Sequence, residues 1–194
     1  MGAQESKPAV KPFTRIQIEL LINQMKSHTT LERDRKVEGL MKQEADLLTV
    51  VKARGKLNDG LSQKCYGIVG SLKWIKGANI TLQYLRSLES HTIQLEKGQT
   101  HPEEVQELVP AISTIIWAST HLNLKVLTEW TKFVDEHLAG MNQKWVNSAK
   151  DGENVDEAIK KNFKSLLPTP MEIDLYLKSF FARNTMEEEL KQST

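Results

Sequence analysis

The chain has 194 residues, of which 39% are hydrophobic, 26% charged and only 6% aromatic. That suits one domain with a core of its own. The single cysteine, Cys65, excludes an internal disulfide, and neither a signal peptide nor a run of about 18 apolar residues occurs, so the reading is cytosolic, with any membrane contact peripheral. Ten Gly and six Pro supply few turn signals, which favours long helices with few connections. The formal net charge of +1 is unevenly placed: residues 1–97 carry +6 and residues 98–194 carry −5. An anionic partner for the first half, or attraction between the halves, would account for the split.

Residues 1–11 show no periodicity and read as a flexible arm. Its first six residues, Met-Gly-Ala-Gln-Glu-Ser, match the pattern for N-myristoylation at Gly2, and Lys7 and Lys11 follow. A single helical domain is expected over 12–184, with a short acidic tail over 185–194.

A long helix is predicted over 13–54. Its apolar stripe is Ile18, Leu21, Ile22 and Met25, resumed by Val37, Leu40, Met41, Ala45, Leu48 and Val51. Between them, 26–36 is polar apart from Leu31. Arg54-Gly55-Lys56-Leu57-Asn58-Asp59-Gly60 is the natural turn. A second helix to about Leu95 follows, with Leu61, Cys65, Ile68, Leu72, Ile75, Asn79 and Leu82 at alternating spacings of four and three, the seam of a coiled-coil-like pair. The expected fold is all-α: a long antiparallel helical hairpin with shorter helices packed against it. Gly67, Gly70 and Gly77 would bend that second helix or let a neighbour approach closely.

Beyond the hairpin, Thr100-His101-Pro102-Glu103 reads as a capping box opening a short helix that Pro110 interrupts or restarts. Leu122, Val126, Leu127, Trp130, Phe133, Val134, Leu138, Met141 and Trp145 predict one amphipathic helix over about 121–148, ended by Gly152. Asn154 is the expected cap of the next helix, which carries Val155, Ala158, Ile159 and Leu166. Thr169-Pro170-Met171-Glu172 combines an N-cap, a proline at the first helical position and a Glu at the third. It opens a last helix with Ile173, Tyr176, Leu177 and Phe180 on its buried side. No segment alternates with period two.

Enzyme signatures are missing. Gly55-Lys56 is no phosphate loop, because Val50 and Leu57 stand where Gly and Ser/Thr are required. His28, His91, His101, His121 and His137 lack metal-ligand spacing, and no CxxC is present. Cys65 sits on the apolar seam as a structural thiol, and the tryptophans read as core rather than as base-stacking platforms. The expectation is a non-enzymatic chain with no cofactor, no metal and no nucleic-acid partner.

One myristoyl chain binds a bilayer only marginally, so a second signal is needed. Lys26, Arg33, Arg35, Lys36 and Lys42 on the first helix, with Lys52, Arg54, Lys56 and Lys64 about the turn, form a candidate basic face for an anionic membrane and for assembly. Each cation near such a leaflet is worth about 1 kcal/mol.

Several segments resemble the ESCRT-III family in its increased-sodium-tolerance (Ist-type) branch. Ile16-Gln17-Ile18-Glu19-Leu20-Leu21-Ile22-Asn23-Gln24-Met25-Lys26 is similar to that family's first-helix signature, and Ala53-Arg54-Gly55-Lys56 falls where the family turns its hairpin. Ser113-Thr114-Ile115-Ile116-Trp117-Ala118, then Leu122, resembles its Ser-Thr-apolar-Ile-Trp-Ala segment. Pro168, Tyr176-Leu177 and Ala182-Arg183-Asn184 resemble its Pro, Tyr-Leu and Ala-Lys-Asn positions. The segment Leu61–Gly67 departs from it, standing where the family has a charged stretch with an Arg-Val-Glu element.

The resemblance implies a subunit or regulator that assembles on membranes as a homo- or hetero-polymer and acts in endosomal sorting, multivesicular body formation or membrane fission, peripherally on endosomal or other membranes. It implies other ESCRT-III subunits, MIT-domain proteins and the vacuolar-sorting AAA ATPase as partners. Glu187, Glu188, Glu189, Leu190 and Lys191 form half of the short helix by which such tails dock. A soluble helical adaptor that binds partner helices without polymerising is the alternative.

Overall fold

A computed structural model of the chain describes residues 12–54, 59–97, 102–139, 143–162 and 166–192. Among them the secondary structure is helical, and no strand occurs. Helix α1, Arg15–Arg54, has 40 residues, and α2, Asp59–Glu89, has 31. At about 1.5 Å per residue these are rods of roughly 60 and 46 Å. They pack antiparallel: Lys26 pairs with Glu89, Arg33 reaches Asn79, and Gln43 meets Ser71, so partner numbers fall along α2 as they rise along α1. The expected hairpin is therefore present, with helix ends within two residues of the predicted ones for α1.

The second helix ends earlier than about Leu95. A turn at Ser90 and His91 breaks it, and the short α3, Thr92–Lys97, continues against the start of α1. Glu96 accepts from the Arg15 backbone N–H at 2.8 Å, and the Thr92 hydroxyl reaches Glu19 at 3.4 Å.

The predicted α2 seam holds at the hairpin tip, where Leu61, Cys65 and Ile68 are buried, and again at Leu82, but it fails between them: Leu72 and Asn79 are exposed, while Ala78 and Thr81 are buried, as are Leu85 and Leu88 further on. The physical reason is that different neighbours cover α2 along its length, so its buried side moves around the helix. Gly77 marks one crossing: a Cβ built there would lie 3.2 Å from Leu122 Cδ2 and 3.6 Å from the Trp117 ring. On α1 likewise, Met41 and Ala45 of the predicted stripe face solvent and Leu47 is buried.

Helix α4, Pro102–His121, passes through Pro110 without ending. Losing one backbone bond there costs stability. Leu108, Val109, Ala111 and Ile112, all buried around the proline, hold the helix by packing.

The amphipathic stretch predicted as one helix is divided. Leu122 and Leu124 are both buried, and Asn123 between them takes a left-handed φ of 52°, a conformation Asn tolerates better than most residues. Helix α5, Lys125–Phe133, passes into a π-helical turn, Val134–Leu138. Helix α6 then spans Gln143–Lys150. Periodicity could not reveal the break, because residues on both sides of it enter the same core.

Helix α7, Glu157–Asn162, is capped by Asp156, whose carboxylate accepts from the Ala158 N–H at 2.7 Å, and not by Asn154. The last helix, α8, spans Pro170–Gln192 and opens with the expected reciprocal cap. The Thr169 N–H donates to Glu172 at 2.8 Å, and the Glu172 N–H donates to the Thr169 hydroxyl at 3.3 Å. It runs through the boundary expected at 185.

Two main cores result. The larger fills the open end of the hairpin, where Ile18, Ile22 and Met25 of α1 meet Leu82 and Leu85 of α2, Ile112 and Ile115 of α4, and Trp130 and Phe133 of α5. The smaller sits nearer the hairpin turn, where Leu47, Leu61, Cys65 and Ile68 are covered by Leu177 and Phe180 of α8. Burial pushes the Cys65 thiol up from its ordinary value, as its structural role requires.

Candidate functional site

The predicted basic residues do not form one outward face. Lys26 donates to Glu89 at 2.6 Å, Arg33 contacts Asn79 at 3.3 Å as well as Asp34, and Lys36 lies over the Trp74 ring at 5.9 Å. These three cations reach across to α2 and join the two rods. Arg35 pairs with Glu32 on its own helix at 2.6 Å. Lys42, Lys52 and Lys64 are exposed and make no ion pair among the described residues. Gly2 and Lys56 lie outside the described residues. Arg54 ends α1, and Glu187, Glu188, Glu189, Leu190 and Lys191 lie on the last turns of α8.

Attraction between the oppositely charged halves contributes one ion pair among the described residues. Lys73 of α2 holds both carboxylate oxygens of Glu172 at 3.1 Å and also donates to the Leu167 carbonyl at 3.1 Å. Burial pushes the Glu172 carboxyl up, but the Thr169 N–H and the Lys73 ammonium outweigh it and hold it below its ordinary value. Elsewhere α8 is held the other way round, with Arg183 3.6 Å from Glu44 and the Tyr176 hydroxyl donating to Glu44 at 2.7 Å. Apolar burial at Leu177 and Phe180, rather than net charge, carries this contact.

The segment Ser113–Ala118 is a joint. Ser113 donates to the Ala149 carbonyl at 2.6 Å and ties α4 to α6. Thr114 accepts from the Asp156 N–H at 3.2 Å, and the other Asp156 oxygen accepts the Tyr84 hydroxyl at 2.6 Å. Burial, then the Asp156 carboxylate, pushes the Tyr84 phenol up to about 12. Trp117 stacks on His121 at 4.6 Å, and Trp74 donates its indole N–H to the Leu122 carbonyl at 3.1 Å. The polar and aromatic residues of this segment thus lock helices together, and Trp130 is fully buried beside Phe133.

Near the end of the chain, Pro168 packs against Gly70, where a Cβ would lie 3.6 Å from the proline ring. Tyr176 and Leu177 face the hairpin, and the Asn184 amide donates to the Phe180 carbonyl at 2.8 Å.

One residue that sequence reasoning passed over organises the start of α1. His137, buried in the π-helical turn, accepts the Phe13 N–H on Nδ1 at 3.3 Å, so its Nε2–H donates to the Leu95 carbonyl at 2.9 Å. Its ring also packs on Phe133 and Phe13. A lone histidine in an apolar stripe carries no sequence signal for this.

Two open recesses flank the hairpin. One, of about 350 Å³, is lined by Glu32, Lys36, Trp74, His121 and Asn123, and the other, of about 220 Å³, by Glu44, Leu48, Phe180 and Arg183. Among the described residues no group of three or more His, Cys, Asp or Glu gathers to hold a metal ion, and no helix is long and apolar enough to cross a membrane. No protein-family model matches the sequence, and no curated protein matches it.

Proposed function

We propose that this chain is a non-enzymatic ESCRT-III-like subunit or regulator of the Ist type, which assembles at anionic membranes and acts in endosomal sorting or membrane fission. The observation that carries the reading is the pairing of a 40-residue and a 31-residue helix into an extended hairpin, with α8 laid across its tip through Leu177 and Phe180. The placement of the resembling segments supports it: Ser113–Ala118 joins helices, and Tyr176-Leu177 faces the hairpin. Gly2 is the proposed acylation site. The proposed second membrane signal centres on Lys42, Lys52 and Lys64, exposed cations of the basic set that have neither an ion pair nor a ring contact among the described residues. Other ESCRT-III subunits, MIT-domain proteins and the vacuolar-sorting AAA ATPase remain the proposed partners. Docking of α8 over the tip is the proposed restraint that keeps the chain unassembled.

Vesicle binding at low and high salt, with and without acylation at Gly2, tests this reading. Acylated protein should co-sediment with anionic vesicles in a salt-sensitive manner, and Leu177→Ala with Phe180→Ala should release α8 and increase filaments or tubules seen by negative stain. Equal binding to neutral and anionic vesicles, with no polymer from the released variant, would remove the proposal.

The second reading, a helical adaptor that never polymerises, draws support from the engagement of Lys26, Arg33 and Lys36 with α2, which leaves fewer cations for lipid. Monodisperse particles in the same images would favour it.

A further inference from the structure

The stretch that leads into α8 is more exposed than either core accounts for. Leu167 is 66% exposed and Met171 73%, and neither belongs to a core. Thr169 and Pro170 between them face solvent, while Pro168 is half-buried against Gly70. Residues 166–169 lie outside any helix, so the chain presents a short ledge with an apolar side chain two positions to either side of an exposed hydroxyl. Of the six prolines, Pro170 is the one preceded by Ser or Thr. A residue before proline is held in extended backbone, and proline brings no N–H for the helix to bond, so Thr169 stands on unwound chain. Its Oγ1 accepts the Glu172 N–H at 3.3 Å, but the hydroxyl hydrogen reaches no acceptor among the described residues.

A cation stands beside this hydroxyl. Glu172 Oε2 accepts both the Thr169 N–H at 2.8 Å and the Lys73 ammonium at 3.1 Å, so Lys73 of α2 lies one carboxylate oxygen away from the Thr169 backbone. We propose that Thr169 is a phosphorylation site for a proline-directed Ser/Thr kinase, and that the phosphate takes over from Glu172 the tie between α8 and Lys73. In the transfer the Thr169 oxygen bonds to the γ-phosphorus of ATP, and the bond from that phosphorus to the β–γ bridging oxygen breaks. The hydroxyl proton passes to a base of the kinase, and ADP leaves.

A phosphate adds about 1.5 to 2 negative charges near neutral pH and three acceptor oxygens. On Oγ1 it lies against the Glu172 carboxylate, and one ammonium cannot neutralise both groups. Exposure decides which of them yields. The Lys73 side chain is 11% exposed and stays between the helices, whereas that of Glu172 is 34% exposed and can turn to solvent. The phosphate, with the larger charge, then bonds Lys73 and the Glu172 N–H that already points at Oγ1. Phosphorylation thus keeps α8 docked and makes the Glu172 carboxylate dispensable. This inference rests on the docking of α8 against α2 and not on the membrane reading, so its test needs no vesicles.

The full chain incubated with ATP and a purified proline-directed kinase, and read by mass spectrometry, tests the site. A phosphate should appear at Thr169, Thr169→Val should abolish it, and Pro170→Ala should slow it by about tenfold or more. A peptide of residues 163–175 shows whether the kinase is competent. Hydrogen exchange over residues 170–192 tests the handover. In the unmodified chain Glu172→Gln should speed exchange by about fivefold, and phosphorylation of that variant should restore protection to within about twofold of wild type. Lys73→Met, with helical circular dichroism intact, should lose the restoration, and the phosphorus resonance should titrate at higher pH in that variant than in the phosphorylated wild type. A chain left unmodified, whether or not the peptide is modified, would overturn the proposal. So would a rate indifferent to Pro170→Ala, faster exchange in the phosphorylated wild type, or a restoration that persists in Lys73→Met.

Discussion

Tyr176 donates its hydroxyl to Glu44 at 2.7 Å, joining α8 to α1 across 132 residues of sequence. Burial pushes the Tyr176 phenol above its ordinary value of 10, and the neighbouring Glu44 carboxylate adds to the effect. Tyr176→Phe removes the donor while Arg183 still faces Glu44, so the expected loss is about 1 kcal/mol, read from urea unfolding. A phenol with a raised value stabilises the fold below pH 10 and loses that contribution as pH rises further. Tyr84, pushed up to about 12 by burial and Asp156, behaves the same way. Stability measured between pH 10 and 12 should therefore fall more steeply for wild type than for the Tyr84→Phe, Tyr176→Phe double variant.

Phe180 is buried in the smaller core against Leu47, Cys65 and Ile68. Phe180→Ala should cost about 3–5 kcal/mol locally. Because the larger core at the open end does not include Phe180, the loss should show first as proteolysis and fast hydrogen exchange within residues 170–192, with the remaining helices protected. Uniform deprotection along the chain would contradict two separately held cores.

Gly39 and Gly77 should respond differently to alanine, with a gain in stability at Gly39 and none at Gly77. A Cβ at Gly39 meets nothing within 4 Å, so Gly39→Ala in this exposed helical position should stabilise by about 1 kcal/mol. At Gly77 the same Cβ would crowd the buried Leu122 Cδ2 at 3.2 Å, with the Trp117 ring in ordinary contact at 3.6 Å, and the gain in helix propensity should be offset by overpacking. Thermal unfolding of the two variants checks the difference.

The cap of α8 carries an acid-side signature. Glu172 is held below its ordinary value of 4.5 in the fold, so its contribution is complete above that value and disappears as pH falls through and below it. Glu172→Gln should flatten the decline in stability on the acid side, and Lys73→Met should reduce it in part, since the Thr169 N–H would remain. An unchanged acid limb in Glu172→Gln would contradict the reading.

His137→Leu keeps an apolar side chain in the π-helical turn but leaves the Phe13 N–H and the Leu95 carbonyl without their partner. A cost of about 1–3 kcal/mol follows from the buried groups left unpaired. Faster amide exchange at Phe13 should accompany it.

The hairpin was legible because a long run without proline and with Gly39 as its one glycine, followed by Gly55, Asn58, Asp59 and Gly60, needs no partner to be read: Ile18, Ile22 and Met25 repeat at helical spacing, and 54–60 is rich in turn residues. The cap at Thr169 and Glu172 was legible for the same reason, since both of its bonds close within four residues. Local chemistry of this kind is written in adjacent positions.

What the tertiary structure alone decided is which side of each helix is covered. Leu72 and Asn79 fit a continuous seam by spacing, yet α8 covers α2 near the tip and α4 covers it near the open end, so burial passes to Ala78, Leu85 and Leu88. The basic residues show the same dependence: Lys26, Arg33 and Lys36 are cations in the sequence, and only the position of Glu89, Asn79 and Trp74 on the neighbouring rod draws them onto it. Periodicity specifies that a stripe exists. The direction it faces is set by long-range packing, whose free energy depends on neighbours distant in the chain.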